Sequence, residues 1–407
     1  MTQTAIDNAD HAAASDTPRQ AGMFAALLAG HFVVDCYGGI WPIFKKLAGI
    51  DLGVAGFIST ATILVAALQP FIGLYADKGR RRALILIGVA LSMLGMTLGP
   101  VGIHQASLGA GVTFALLLGI MLAVRMGQAM FHPAATSVAG SLHLGKRSTF
   151  LSIFIAAGML GFASSQRLFA YVYEATGGQT HLLLIPAAVV LALMVMLCRP
   201  RELHADHRPK ARDIMAELWR LRAGLLPLYL IMVMVAALAM GAHFLLPEFV
   251  EYRGYPGWLV DGGAAGLIIA GSVITMVPVG HIAERVGLRG TLTVTLALAA
   301  VGYFALILLP PMPVPLFGLL CLVVGGAMGT ANPLGVSLAQ HLMPRMASTV
   351  SGVMMGLAWA VGGMAPSIVG MLAKIESIGY VGALLALGAT AIIAVLLMAA
   401  VPRHDVA

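Results

Sequence analysis

Asp35 and His31 stand four residues apart inside an apolar stretch, so on a helix they share one face. An ionisable group held where lipid replaces water is expensive, which makes it a functional candidate by default. In a partly dry cavity a carboxylate can take up a proton near working pH, and a nearby imidazole can tune or relay it. Proton coupling is the expected role of the pair; the bland alternative is a carboxylate permanently paired with an arginine. Arg125 is the expected partner. It lies in the fourth apolar stretch, three residues before Gln128, and can bind an anionic substrate or keep Asp35 ionised until substrate displaces it. His132 follows two turns later, beside Pro133, which is expected to kink the helix; it is a candidate substrate contact. Arg167, in the fifth stretch, is either a second cavity cation or a residue that snorkels to the headgroups. Tyr37 near Asp35, His243 and Glu248 in the seventh stretch, Asn332 in the tenth and Trp359 in the eleventh can face a central cavity, against a plainer role in packing.

Positioning these groups falls to twelve apolar stretches, each near the roughly 20 residues that span a bilayer. They run over Ala21–Phe44, Val54–Ala76, Ala83–Val101, Leu108–Pro133, Phe150–Tyr173, Leu182–Cys198, Leu225–Pro247, Ala264–Ile282, Thr291–Leu309, Leu316–Gln340, Val350–Leu372 and Val381–Val401. Of 407 residues only 10% are charged and 59% are hydrophobic, whereas a soluble domain needs about 25% charged. Strand-like alternation is absent, so the stretches read as helices that satisfy their own backbones. The 48 glycines permit close helix approach, and the 24 methionines read as adaptable packing.

Cations set the orientation. With the N-terminus cytoplasmic, eighteen lysines and arginines fall in cytoplasmic segments, against Lys45, Lys46, Arg253 and Lys374 outside. The net charge of +7 then faces an anionic leaflet, with no nucleic acid implied. Both termini are expected in the cytoplasm of a bacterial inner-membrane protein. Residues 1–20 lack a basic signal-peptide start and read as a disordered tail. Residues 21–198 and 223–401 form six-helix halves, 199–222 a cytoplasmic linker with Pro200 and Pro209, and 402–407 a second tail. Cys36, Cys198 and Cys321 show no pairing pattern, so no disulfide framework, metal site or other cofactor is expected.

The halves echo one another. Gly73-Leu-Tyr-Ala-Asp77-Lys-Gly-Arg80 after the second stretch matches Gly280-His-Ile-Ala-Glu284-Arg-Val-Gly287-Leu-Arg289 after the eighth, 207 positions later. Phe131-His132-Pro133 and Ala331-Asn332-Pro333 recur at an offset of 200, as do Ser148-Thr149 and Ser348-Thr349. Parallel six-helix repeats are a transporter architecture, with substrate held between the halves near the midplane.

On these residues the chain resembles the major facilitator superfamily over nearly its whole length. Gly73–Arg82 is similar to that family's loop signature. Gly30-His31-Phe-Val-Val-Asp35-Cys-Tyr37 with Pro42, Phe131-His132-Pro133-Ala-Ala and Gly356-Leu-Ala-Trp359-Ala-Val-Gly362-Gly363 resemble the fosmidomycin-resistance group. Arg125-Met-Gly-Gln128 is similar to the antiporter pattern of the fourth helix, although Ala129 stands where a glycine follows. Gly158 and Gly161 match the fifth helix of related drug antiporters, but Ser165-Gln166-Arg167 departs from it and argues against drug-type antiport. The resemblance implies a twelve-helix, all-α membrane protein in two six-helix bundles. It also implies a gate in which Asp77 meets the helix opening at Ser348-Thr349, while Arg80, Arg81 and Arg82, with Glu284 in the second copy, latch the cytoplasmic face in the outward-facing state.

No phosphate loop, His-Glu-x-x-His or Gly-x-Ser-x-Gly is present, so no enzyme is expected. The function implied is secondary transport of a small polar or anionic compound by a monomer, as proton-coupled efflux. Proton-coupled uptake of a small anion, nutrient or metal chelate is the alternative; a non-transporting sensor or assembly partner is the third.

Overall fold

Lipid offers no hydrogen-bond partners, so each crossing segment must close its backbone bonds within itself. Every regular element among the described residues is accordingly helical. The computed structural model describes residues 3–76, 80–139, 147–199, 222–342 and 353–402, with residues 142, 219 and 350 besides. Eleven helices are long and apolar enough to cross a membrane, and the shorter apolar helix Leu52–Leu68, continued by Gln69–Ala76, makes the twelfth crossing. Numbered in chain order, spans 1–6 are Pro18–Leu47, Leu52–Leu68, Arg81–Ile103, Ala110–Ala139, Ile153–Ala175 and Thr180–Leu197. Spans 7–12 are Gly224–Tyr252, Leu259–Ala283, Leu288–Leu308, Val314–Ala339, Val353–Ala373 and Gly379–Ala400. The protein is thus a twelve-helix membrane protein in two six-helix bundles.

Both termini lie at one end. Arg19 reaches the Arg199 carbonyl, and Gly224 packs on Pro402. The first helix begins at Gln3 and runs through Pro18 to Gly38. The segment expected as a disordered tail is therefore helical from Gln3, in keeping with the helix propensity of its alanines.

The repeat is visible atom by atom. Arg82 donates from Nε to the Cys198 carbonyl at 2.9 Å and from Nη2 to that of Val195 at 2.7 Å. Arg289 does the same to Val401 at 3.2 Å and Met398 at 2.9 Å. Each arginine caps the unpaired carbonyls at the end of its bundle's last helix, where a cation also suits the helix dipole. Arg82, expected to latch across the halves, makes these two bonds within its own half.

Small residues let the halves meet. A Cβ on Gly56 would lie 2.7 Å from the Pro366 carbonyl oxygen, and one on Gly370 would lie 2.6 Å from that of Leu52. Spans 2 and 11 thus touch backbone to backbone, reinforced by Ser367 donating to Thr60 at 2.8 Å. Both spans leave α geometry near this seam, through a 3₁₀ turn at Leu64–Leu68 and a π turn at Val353–Leu357. Spans 5 and 8 make the second seam, where Gly266 lies against the Ala163 carbonyl.

Candidate functional site

Span 1 carries His31 and Asp35 on one face, and spans 4 and 5 enclose them. His31 Nε2 lies 3.2 Å from Asp35 Oδ2, one helical turn away. His132 Nε2 of span 4 lies 2.9 Å from the other carboxylate oxygen. The second His31 nitrogen, Nδ1, is 2.7 Å from the Phe154 carbonyl oxygen of span 5. Phe154 stacks on the His31 ring with centroids 4.1 Å apart, and His132 meets it edge-on at 5.3 Å. Span 5 can approach this closely because Gly158 has no side chain: a Cβ there would collide with His31 Nε2 and Asp35 Oδ2.

The expected Asp35–Arg125 pair is not formed; His132 occupies that role. Arg125 Nη1 instead donates to Gln128 Oε1 at 2.8 Å, leaving Nε buried without a partner. The Asp35 charge still reaches the guanidinium through space. His31, Asp35, His132, Arg125 and Gln128 therefore form one polar group at mid-span. Tyr37 does not join it: its hydroxyl donates to the Leu183 carbonyl, tying span 1 to span 6.

Both halves hold buried polar atoms without partners. His243 donates from Nδ1 to the Ala239 carbonyl at 2.8 Å, and its Nε2 is buried without a partner. Its ring lies 6.3 Å from that of Phe162 in span 5, across the boundary between halves. Asn332 Oδ1 and Gln166 Oε1 are also buried acceptors without partners. Trp359 is partly exposed on span 11, 37% of its surface being accessible.

Arg167 is held in an ion pair across the halves. Its Nη1 bonds Asp261 Oδ2 at 2.9 Å, joining span 5 to the opening of span 8. Gly262, at φ 107°, makes the turn, and its missing Cβ leaves room for Gln166 and Arg167 to pass. Lys374 at the end of span 11 bonds Asp51 at 2.6 Å, which in turn caps span 2 by accepting from Gly53 and Val54. The Lys374 ammonium and these backbone donors hold the Asp51 carboxyl below its ordinary value of 3.8. Between spans 1 and 7, Lys46 bonds Glu251 at 2.8 Å and the fully buried Lys45 bonds Glu248. Lys45 also lies over the Phe244 ring at 4.5 Å. All four ion pairs cross between the halves at the end opposite the termini. These pairs were not anticipated from the sequence; the repeat offset, which carries Arg167 onto Lys374, was the available signal.

Of the expected gate, Asp77 and the Glu284 side chain lie outside the described residues, as does most of the 199–222 linker. Arg80 is exposed and Arg81 buried at the terminal end.

Imidazole nitrogens and carboxylate oxygens of His31, Asp35 and His132 lie within 4.8 Å of one another, a donor set able to hold a cation. The adjacent Arg125 guanidinium opposes a divalent ion there. The sequence expectation of no metal site rests on the cysteines, which are buried and free, and does not bear on this trio.

Twelve spans in two repeated bundles around a polar group at mid-span are the architecture of a secondary transporter. The profile of the Major Facilitator Superfamily matches residues 23–367, and the chain belongs to that family. It is 25% identical over 395 residues to the fosmidomycin resistance protein of Escherichia coli (strain K12), covering 91% of each chain. It is 24% identical over 371 residues to the uncharacterized MFS-type transporter YfnC of Bacillus subtilis (strain 168), covering 88% of this chain and 86% of the relative. Among solved structures, a substituted form of the nucleoside transporter NupG superposes with a TM-score of 0.75 at 13% identity, over 94% of this chain and 100% of the other. A bacterial homologue of the human lysosomal transporter Spinster, inward-facing and occupied, gives a TM-score of 0.71 at 15% identity, over 94% and 96% of the two chains.

Proposed function

We propose that this protein moves a small polar or anionic compound across the bacterial inner membrane by alternating access, coupled to protons through Asp35. The observation that carries the reading is the set of inter-half ion pairs, Arg167–Asp261 and Lys374–Asp51 foremost, closing one end beyond a mid-span site. Eighteen cations against four support cytoplasmic termini, and on that reading the sealed end is the outer one and the conformation inward-facing. Rocking of the halves breaks these pairs and forms others at the cytoplasmic end, where Asp77, Arg80, Arg81 and Glu284 are the proposed gate.

Within the site, Asp35 and His31 carry the proton, while Arg125, Gln128 and His132 receive the anionic group. His243 and Asn332 accept from donors on the substrate. The relative's name makes export in exchange for protons the first sense to test, with fosmidomycin as the first compound. Proton-linked uptake is the second reading, and one contact favours it. Asp35 is satisfied by two histidines and leaves Arg125 to an anion, so proton and anion can be aboard together.

The test uses purified protein in liposomes loaded with a pH-sensitive dye, under an imposed proton gradient, with fosmidomycin and then a panel of small anions. Exchange moves protons against the compound and uptake moves them with it. If no compound in the panel moves protons, the coupled reading is wrong.

A further inference from the structure

The His31–Asp35–His132 group contains a countable number of protons. The Phe154 carbonyl only accepts, so the His31 Nδ1 that lies 2.7 Å from it carries a hydrogen. A neutral His31 would then turn the bare lone pair of Nε2 toward Asp35 Oδ2 at 3.2 Å. Against an ionised carboxylate that contact is repulsive. It becomes attractive when one further proton lies between the two atoms.

We propose that His31 and Asp35 form a one-proton store, filled in this conformation, with His132 as its side toward open space. The inference rests on the proton-coupled reading above and says where the proton is kept. The proton belongs mainly to His31, whose ring stacks on Phe154 at 4.1 Å and stands 5.6 Å from Phe131, since aromatic faces favour a cation. Asp35 then stays ionised and accepts from Nε2–H of both histidines, two charge-assisted bonds. Side-chain exposure rises from 7% at His31 through 18% at Asp35 to 30% at His132, so His132 is the most accessible of the three.

The charged and titratable groups facing the store are few among the described residues. Span 4 presents Arg125 and His132, and span 1 itself adds Cys36 and Tyr37. Span 5 contributes the Phe154 carbonyl and ring with Gly158; spans 3 and 6 meet this helix through Gly95 and Met194. Among the described residues no side-chain donor is seated on His31 Nε2, and an extra proton satisfies it. Gly158 is the positioning residue, because a methyl group in its place would push Nε2 and Oδ2 apart.

The experiment is nuclear magnetic resonance of protein in lipid nanodiscs, treated with EDTA, with histidine ring nitrogens and aspartate carboxyl carbons labelled. His31 is assigned by comparison with His31→Gln, and Asp35 with Asp35→Asn. At pH 8 an ordinary histidine of pKa ~6.5 is only about 3% charged. His31 is expected to show hydrogens on both ring nitrogens there, or else Asp35 to show a protonated carboxyl, and His132 to be neutral with hydrogen on Nε2. Asp35→Asn should remove the second ring hydrogen from His31. His132→Gln, which keeps a donor for Asp35 Oδ1, should leave the His31 signal unchanged and serves if Asp35→Asn fails to fold. A neutral His31 beside an ionised Asp35 at pH 8 overturns the proposal. So does hydrogen on Nε2 alone, loss of the second His31 hydrogen in His132→Gln, or an altered His31 signal in protein not exposed to EDTA, which would put a metal ion in the gap. None of these readouts involves transport. An empty store with intact substrate-linked proton flux strikes only this inference; absent flux with a filled store strikes the coupled reading instead.

Discussion

Arg167 and Lys374 hold the same place in the two halves, 207 positions apart, as Gly73 and Gly280 are. Each pairs with an acid that opens a span of the opposite half, Asp261 at 2.9 Å and Asp51 at 2.6 Å. The seal at the end opposite the termini is thus built twice from one pattern. Both cations are about half exposed, at 48% and 50%, so each pair contributes ~0–1 kcal/mol. Arg167→Gln and Lys374→Gln should each raise the outward-open population, by up to about 5-fold on that scale, and the double change by roughly the product. Spin-label distances between spans 5 and 8 and between spans 2 and 11 read this directly. An unchanged distribution in both single variants would reduce the pairs to ornament.

The buried Lys45–Glu248 pair should behave differently. Removing one partner leaves a desolvated charge, at a cost of about 3–5 kcal/mol to the inward-facing state, while replacing both with apolar residues is near neutral. Lys45→Met is therefore expected to lower the thermal midpoint or drive the protein outward-open. Lys45→Met with Glu248→Leu should restore most of the loss. Equal damage in the single and double variants would show that shape, not charge, matters there.

Acid titration separates the exposed latch from the rest. The Asp51 carboxyl is held below 3.8 by Lys374 and the backbone of Gly53 and Val54. A depressed folded-state value means the contribution is complete above about 4 and fades only as pH falls through that lower value. Acidifying from pH 7 to 5 should leave the spacing of spans 2 and 11 unchanged. Asp51→Asn should widen it at every pH in that range, and a wild-type transition between 5 and 7 would contradict the assignment.

The twelve crossings were legible because lipid demands apolar length, and the 207-residue offset exposed the repeat. Asp35 and His31 were legible because helical spacing puts them on one face. The partner was not. Arg125 and His132 are seven residues apart on the same side of span 4, some 10 Å along its axis, and only the vertical register of spans 1 and 4 decides which meets Asp35. Arg167 was ambiguous for a like reason, since its partner belongs to the other half. Tyr37 was misplaced because its hydroxyl turns away from the site to Leu183.

Arg82 and Arg289 each fasten a helix end within their own half. Each donates twice to carbonyls that end its bundle's last helix. Charged-donor bonds of this kind contribute about 1.5–3 kcal/mol each at most, less where water reaches them. Replacing either arginine by Gln should lower the thermal midpoint by similar amounts while leaving the outer-end spin-label distances as in wild type. A shift in those distances would assign the arginines to the gate after all.

Proton flux in Asp35→Asn decides the central claim. Once a transported compound is found, wild-type and variant protein are compared in liposomes, with and without a proton gradient. Wild type should accumulate the compound at the expense of the gradient. Asp35→Asn should lose that accumulation and its proton flux, yet still exchange labelled for unlabelled compound at equal concentrations, because exchange needs no net proton movement. Accumulation by Asp35→Asn against its gradient, with a normal dependence on pH, would place the coupling elsewhere and contradict the account.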